Sequence, residues 1–150
     1  MRGGEKLAYL AGVFDGEGCV GAYPHRRAPA SERVRYIVTV QVGQSLPGLS
    51  VIQQFHKKFG GKIDEIKHPQ GKATCYRWTA RGQRAAVALR ELLPFLQVKR
   101  TQAQLAIRVA KLQAKHGPTA KHGGYKPRIW DQLTSLSKRI KWEKRKHWSI

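Results

Sequence analysis

The chain has 150 residues, about one domain in size, and 41% of them are hydrophobic, enough for a core and too many for wholesale disorder. Its 29 Lys and Arg against 9 Asp and Glu leave a formal net charge of +20, far beyond the needs of solubility. Such a field recruits polyanions, nucleic acid first among them; an anionic membrane surface would need a basic amphipathic helix or lipid anchor, and no clear one is present.

Leu7, Leu10, Ala11 and Phe14 recur at helical spacing, so a short helix is predicted over Glu5 to Phe14, stopped by Gly16 and Gly18. The apolar run Leu7 to Phe14 is too short to span a bilayer, and Asp15 and Glu17 stand where a signal peptide needs small residues. An intracellular setting is therefore expected, and the unpaired spacing of Cys19 and Cys75 fits a reducing compartment. A strand follows over Cys19 to Arg27, then a second over Arg33 to Gly43. The second alternates cleanly, with Val34, Tyr36, Val38, Val40 and Val42 on one face and Arg33, Arg35, Ile37, Thr39 and Gln41 on the other. Pro47 opens a helix that turns Ile52, Phe55 and Phe59 inward, and Gly60-Gly61 ends it. Gly61 to Lys67 and Ala73 to Ala80 read as a hairpin around Pro69-Gln70-Gly71. Helices follow over Arg84 to Leu93 and Lys99 to His116, then a loop containing Gly123-Gly124. A last helix starts at Pro127 and buries Ile129, Trp130, Leu133, Leu136 and Ile140. The order αββαββα with further C-terminal helices makes a small α+β domain, 1–150, on one antiparallel sheet; about 115–150 form a basic helical extension.

Leu10-Ala11-Gly12-Val13-Phe14-Asp15-Gly16-Glu17-Gly18 places two acids among glycines at a helix end, in a chain with few acids. This string resembles the LAGLIDADG motif of homing endonucleases, whose fold has the same αββαββα order. Three further segments are similar to that family. Val40 to Gln44 ends the second strand as an active-site glutamine does in single-motif members. Leu93-Pro94-Phe95-Leu96-Gln97-Val98-Lys99 matches a segment that delivers an active-site lysine, and Ile129-Trp130-Asp131-Gln132-Leu133 matches the C-terminal helix.

The resemblance implies a metal-dependent endonuclease that cuts double-stranded DNA at a long, near-palindromic target. Only one motif is present, which in this family implies a homodimer with the motif helices packed along the dyad. The expected interface is Leu10, Ala11, Gly12, Phe14, Asp15 and Gly16, the two glycines allowing close backbone approach. Glu17 is implied as the metal ligand with the Gly16 carbonyl, and Gln44 and Lys99 as the groups that hold water and steady developing negative charge. Mg2+ is the expected ion, with Mn2+ substituting and Ca2+ binding without turnover. Asp15 reads better as a residue that hydrogen-bonds the turn than as a ligand. Relatives often carry an arginine four residues beyond the glutamine, where this chain has Gly48.

A strand with one basic and polar face suits a saddle in the major groove, arginine reading guanine and glutamine adenine. Arg33, Arg35, Thr39 and Gln41 are the leading DNA-binding candidates. Tyr23, His25 and Arg27, and Lys62, Asp64, Cys75, Arg77 and Thr79, follow, and a one-residue register slip would invert their face. The C-terminal Lys and Arg residues are expected to position phosphate without specifying sequence, with Trp142 and Trp148 docking the tail. Six scattered histidines show no zinc spacing, and no GxxxxGK[ST] loop is present. Two alternatives are an intron RNA-binding splicing maturase and an inactive DNA-binding regulator; the retained Glu17, Gln44 and Lys99 set favours the nuclease.

Overall fold

A computed structural model describes residues 2–26, 34–71, 73–116 and 126–146; Arg27, Arg33, the Gly123-Gly124 loop and Trp148 lie outside the described residues. Helix α1 spans Gly3–Glu17, a turn longer than its apolar periodicity predicts, so Gly16 lies inside the helix and does not stop it. Gly18 caps it, its N–H bonded to the Phe14 carbonyl. A Cβ on Gly18 would fall 2.5 Å from that carbonyl and 2.6 Å from the Phe14 ring. Only glycine lets the chain pass from helix to strand this closely over Phe14.

Strands β1 (Gly18–Arg26) and β2 (Val34–Ser45) pair antiparallel, Gly18 opposite Val42 and His25 opposite Arg35. Helix α2 (Leu49–Phe59) buries Ile52, Phe55 and Phe59, as its spacing predicts. It crosses the sheet so that β4 (Cys75–Arg81) pairs with β2, and β3 (Lys62–Ile66) takes the outer edge. The order is β1-β2-β4-β3, every neighbour antiparallel. Helices α3 (Gln83–Leu92), α4 (Arg100–Lys115) and α5 (Pro127–Lys146) complete the fold.

Strand alternation divides the sheet. Val20, Ala22, Tyr36, Val38, Val40, Val42, Trp78 and Ala80 are buried beneath the helices. At one end of this core Trp78 stacks on Phe55 at 5.0 Å between ring centroids, and its indole N–H donates to the Gly60 carbonyl at 2.7 Å. At the other end α5 packs on α4 and along β1. Ile129, Leu133, Leu136 and Ile140 enter the common core, each such side chain stabilising by about 1.5–3 kcal/mol when fully buried. The Tyr36 hydroxyl shares a 3.0 Å hydrogen bond with the Thr134 hydroxyl, and its ring lies 4.9 Å from Trp130. Ser137 donates to the Ala22 carbonyl at 2.6 Å. These contacts seat α5. Trp142, expected to dock it, is 58% exposed, because its helical position points away from the apolar stripe.

Candidate functional site

Three segments converge where α1 ends: the Asp15-Gly16-Glu17 turn, the Gln97-Val98-Lys99 approach to α4, and the start of β1. Asp15 joins the first two. Its Oδ2 accepts the Gln97 N–H at 2.8 Å, and its Oδ1 accepts those of Val98 at 3.2 Å and Lys99 at 2.9 Å. The Lys99 ammonium returns to donate to the Asp15 carbonyl at 2.5 Å. Asp15 is thus a tether: its carboxylate is committed to its own chain and delivers Lys99 to the end of α1. Arg100 reinforces the segment, its guanidinium donating to the Leu96 and Pro94 carbonyls.

Burial pulls the Lys99 ammonium below the ordinary lysine pKa. Asp15, Cys19 and Glu17 oppose the shift, and the charge of Lys144 adds to it. Glu17 itself is exposed at the last helical position. The C-terminal end of a helix is its negative pole, and no basic residue stands in this last turn, so the position attracts a cation. Gln44 lies two residues beyond Val42, the partner of Gly18, and so flanks the end of α1. Its side chain folds over Gly48: a Cβ there would come within 2.7 Å of both Gln44 Cβ and Oε1. In this conformation Gln44 occupies the space that a side chain at position 48 would need.

The opposite face of the sheet carries the other candidates together. Register sets His25 beside Arg35, Tyr23 beside Ile37, Cys19 beside Gln41, and Thr79 between Gln41 and Lys62. Asp64 sits opposite Arg77 and forms a 3.0 Å ion pair with Lys62. A concavity of about 630 Å³ on this face is lined by Gln41, Lys62, Asp64, Arg77, Thr79 and Arg81. Arg81, opposite Thr39, was missed by the sequence reading although it continues the alternation of Arg77 and Thr79 by one step. Tyr23 is 41% exposed on this face. Its ring folds onto Gly21, where a Cβ would meet it at 2.3 Å, and the ammonium groups of Lys141 and Lys144 lie 6.0 Å from its centroid.

The expected subunit interface needs correction. Leu10, Ala11 and Phe14 are fully buried in the core of their own chain, and Asp15 is occupied as the tether. Of the expected set, Gly12 and Gly16 do lie on the open side of α1, where Ala8 joins them at helical spacing and Tyr9 is 45% exposed beside them. Ideal Cβ atoms on Gly12 and Gly16 would meet nothing within 4 Å. A groove of about 670 Å³ runs between this stripe and the 94–98 segment. Among the described residues no cluster of three or more His, Cys, Asp or Glu is placed to hold a metal ion, and no helix is long and apolar enough to cross a membrane.

No protein-family model matches the chain. The DNA endonuclease I-CvuI of Chlorella vulgaris is 28% identical over 106 residues, a match covering 71% of this chain and 64%, under two thirds, of that protein. A crystal structure of I-CvuI with its target in the presence of calcium superposes at a TM-score of 0.73 and 23% identity, over 93% of this chain and 82% of the other. The homing endonuclease I-TnaI superposes at 0.64 with 15% identity, over 93% and 96% of the two chains. The LAGLIDADG homing endonuclease I-GzeII, bound to a DNA target, matches at 0.66 and 14% identity, over 87% of this chain but 43% of its own. These likenesses establish the architecture.

Proposed function

We infer that this chain belongs to the LAGLIDADG homing endonuclease family and is a site-specific, divalent-metal-dependent double-strand DNA endonuclease acting as a homodimer. The observation that carries this reading is the Asp15 tether, which holds Lys99 against the helix end that presents Glu17, at the margin of a basic sheet face.

The residues fit a hard cation. Glu17 and the Gly16 carbonyl are oxygen donors of the kind Mg2+ and Ca2+ take, at the negative pole of α1. One carboxylate per chain is too few to hold the ion alone, so a second copy and the DNA phosphate would complete the set. A bound metal would supply an activated water and neutralise phosphate charge. Around it this chain's residues position the reaction. Lys99, held by Asp15, offers positive charge to the developing oxyanion, and Gln44, held against Gly48, orients water through its amide. The sheet face docks on the duplex: Arg35, Arg77 and Arg81 donate to guanine edges or phosphate, and Gln41 is suited to adenine.

Dimerisation would pack the Ala8–Gly12–Gly16 stripe of one α1 on its copy, where small residues permit close approach of the backbones. Two such sites about a dyad would cut both strands, and the matching DNA is nearly palindromic. The maturase and inactive-regulator readings gain nothing from the geometry. The test is cleavage selection from a randomised double-stranded DNA library with Mg2+, wild type beside Glu17→Gln. Recovery of one long, nearly palindromic site cut only by the wild type is the expected result. Specific binding by both proteins with no cutting by either would refute the assignment.

A further inference from the structure

We propose that Lys144, carried on α5, is a further group of the cleavage site, contacting the scissile phosphate beside Glu17, Gln44 and Lys99; the inference rests on the endonuclease reading. Its ammonium lies 3.2 Å from the Cys19 sulfur, two residues past Glu17. Lys144 stands close enough to act electrostatically on Lys99. Position 48, a glycine whose space Gln44 fills, supplies no cation of its own.

The placement follows from the helix. Leu133, Ser137, Ile140 and Lys144 form one stripe at helical spacing, the first three buried. Ser137 bonds to the Ala22 carbonyl, and Lys144 reaches Cys19. From 137 to 144 a helix rises about 10 Å, the length of the three strand residues from 22 back to 19, so α5 and β1 run antiparallel in step. The stripe overruns the core at Lys144, which is where the edge of β1 meets the end of α1. The Tyr23 ring, flattened on Gly21, gives the ammonium an aromatic face at 6.0 Å. A thiol and a ring face hold the group, and among the described residues no carboxylate pairs with it, leaving its charge for phosphate.

The experiment compares single-turnover cleavage and binding on a DNA target that the wild type cuts, at saturating protein, with binding measured in Ca2+. Lys144→Ala is expected to slow cleavage about a hundredfold, as for removal of one preorganised charge donor, while weakening binding less than tenfold. Lys144→Arg should recover at least half of that loss on a logarithmic scale. An unchanged cleavage rate would overturn the assignment while leaving the endonuclease reading intact. A rate loss that arginine does not restore and that tracks a lower Tm would make Lys144 structural, and also overturn it. A wild type that cuts no selected DNA would refute the endonuclease reading, and this inference with it.

Discussion

Replacing Asp15 with asparagine removes one acceptor oxygen from a carboxylate that serves three backbone donors across more than eighty residues of sequence. Asparagine keeps the shape but offers one oxygen and one NH2 group. In its better orientation the oxygen still faces the Val98 and Lys99 N–H groups, and the NH2 group meets the Gln97 N–H, donor against donor. A hydrogen bond to a charged group contributes about 1.5–3 kcal/mol, and the two that survive become neutral and weaker. The Gln97 and Val98 bonds are exposed to water, which holds the expected total to about 2–3 kcal/mol. For a chain of this length that lowers Tm by roughly 5–10 °C. Urea unfolding followed by tryptophan fluorescence, with calorimetry for Tm, measures the loss. Single-turnover cleavage, at a temperature where the variant is folded, measures whether Lys99 is still delivered; a drop of about tenfold or more is expected. Stability within about 0.5 kcal/mol of wild type together with unchanged cleavage would refute the tether.

Glu17→Gln should abolish cutting while specific binding in Ca2+ persists; cleavage at the wild-type rate would remove Glu17 from the metal site. Gly48→Ala should push the backbone at Gln44 aside and move its side chain off its present rotamer, costing about 1–3 kcal/mol and reducing cleavage more than affinity; a wild-type cleavage rate in a kinetic comparison would disprove that coupling. Leu133→Ala, at a fully buried position, should lose about 2–5 kcal/mol by urea unfolding, and a loss below that range would mean α5 is not part of the core. Affinity for target DNA should fall with salt by about 0.9 log units per decade for each phosphate contacted, measured by titration across salt concentrations. A flat dependence would take the basic residues out of the interface.

The sequence by itself determined the elements and the two faces of the sheet. Val38, Val40 and Val42 alternate with Thr39 and Gln41 because a strand has a period of two, and Ile52, Phe55 and Phe59 recur because a helix has 3.6 residues per turn. Both periods are local, so both were legible, and the hairpin turned Lys62, Asp64, Arg77 and Thr79 to the expected face. Glu17, Gln44 and Lys99 stood out through their resemblance to a family motif, not through spacing. The tertiary structure decided what depends on segments distant in the chain. Leu10 and Phe14 are apolar residues on a helix, which fits a core as well as a dimer interface; only the position of the sheet beneath α1 assigns them inward and leaves Ala8, Gly12 and Gly16 outside. Asp15 holding residues 97–99 and Lys144 reaching Cys19 are pairings across most of the chain. No periodicity encodes them, because side chains far apart in sequence meet only after the helices have packed on the sheet.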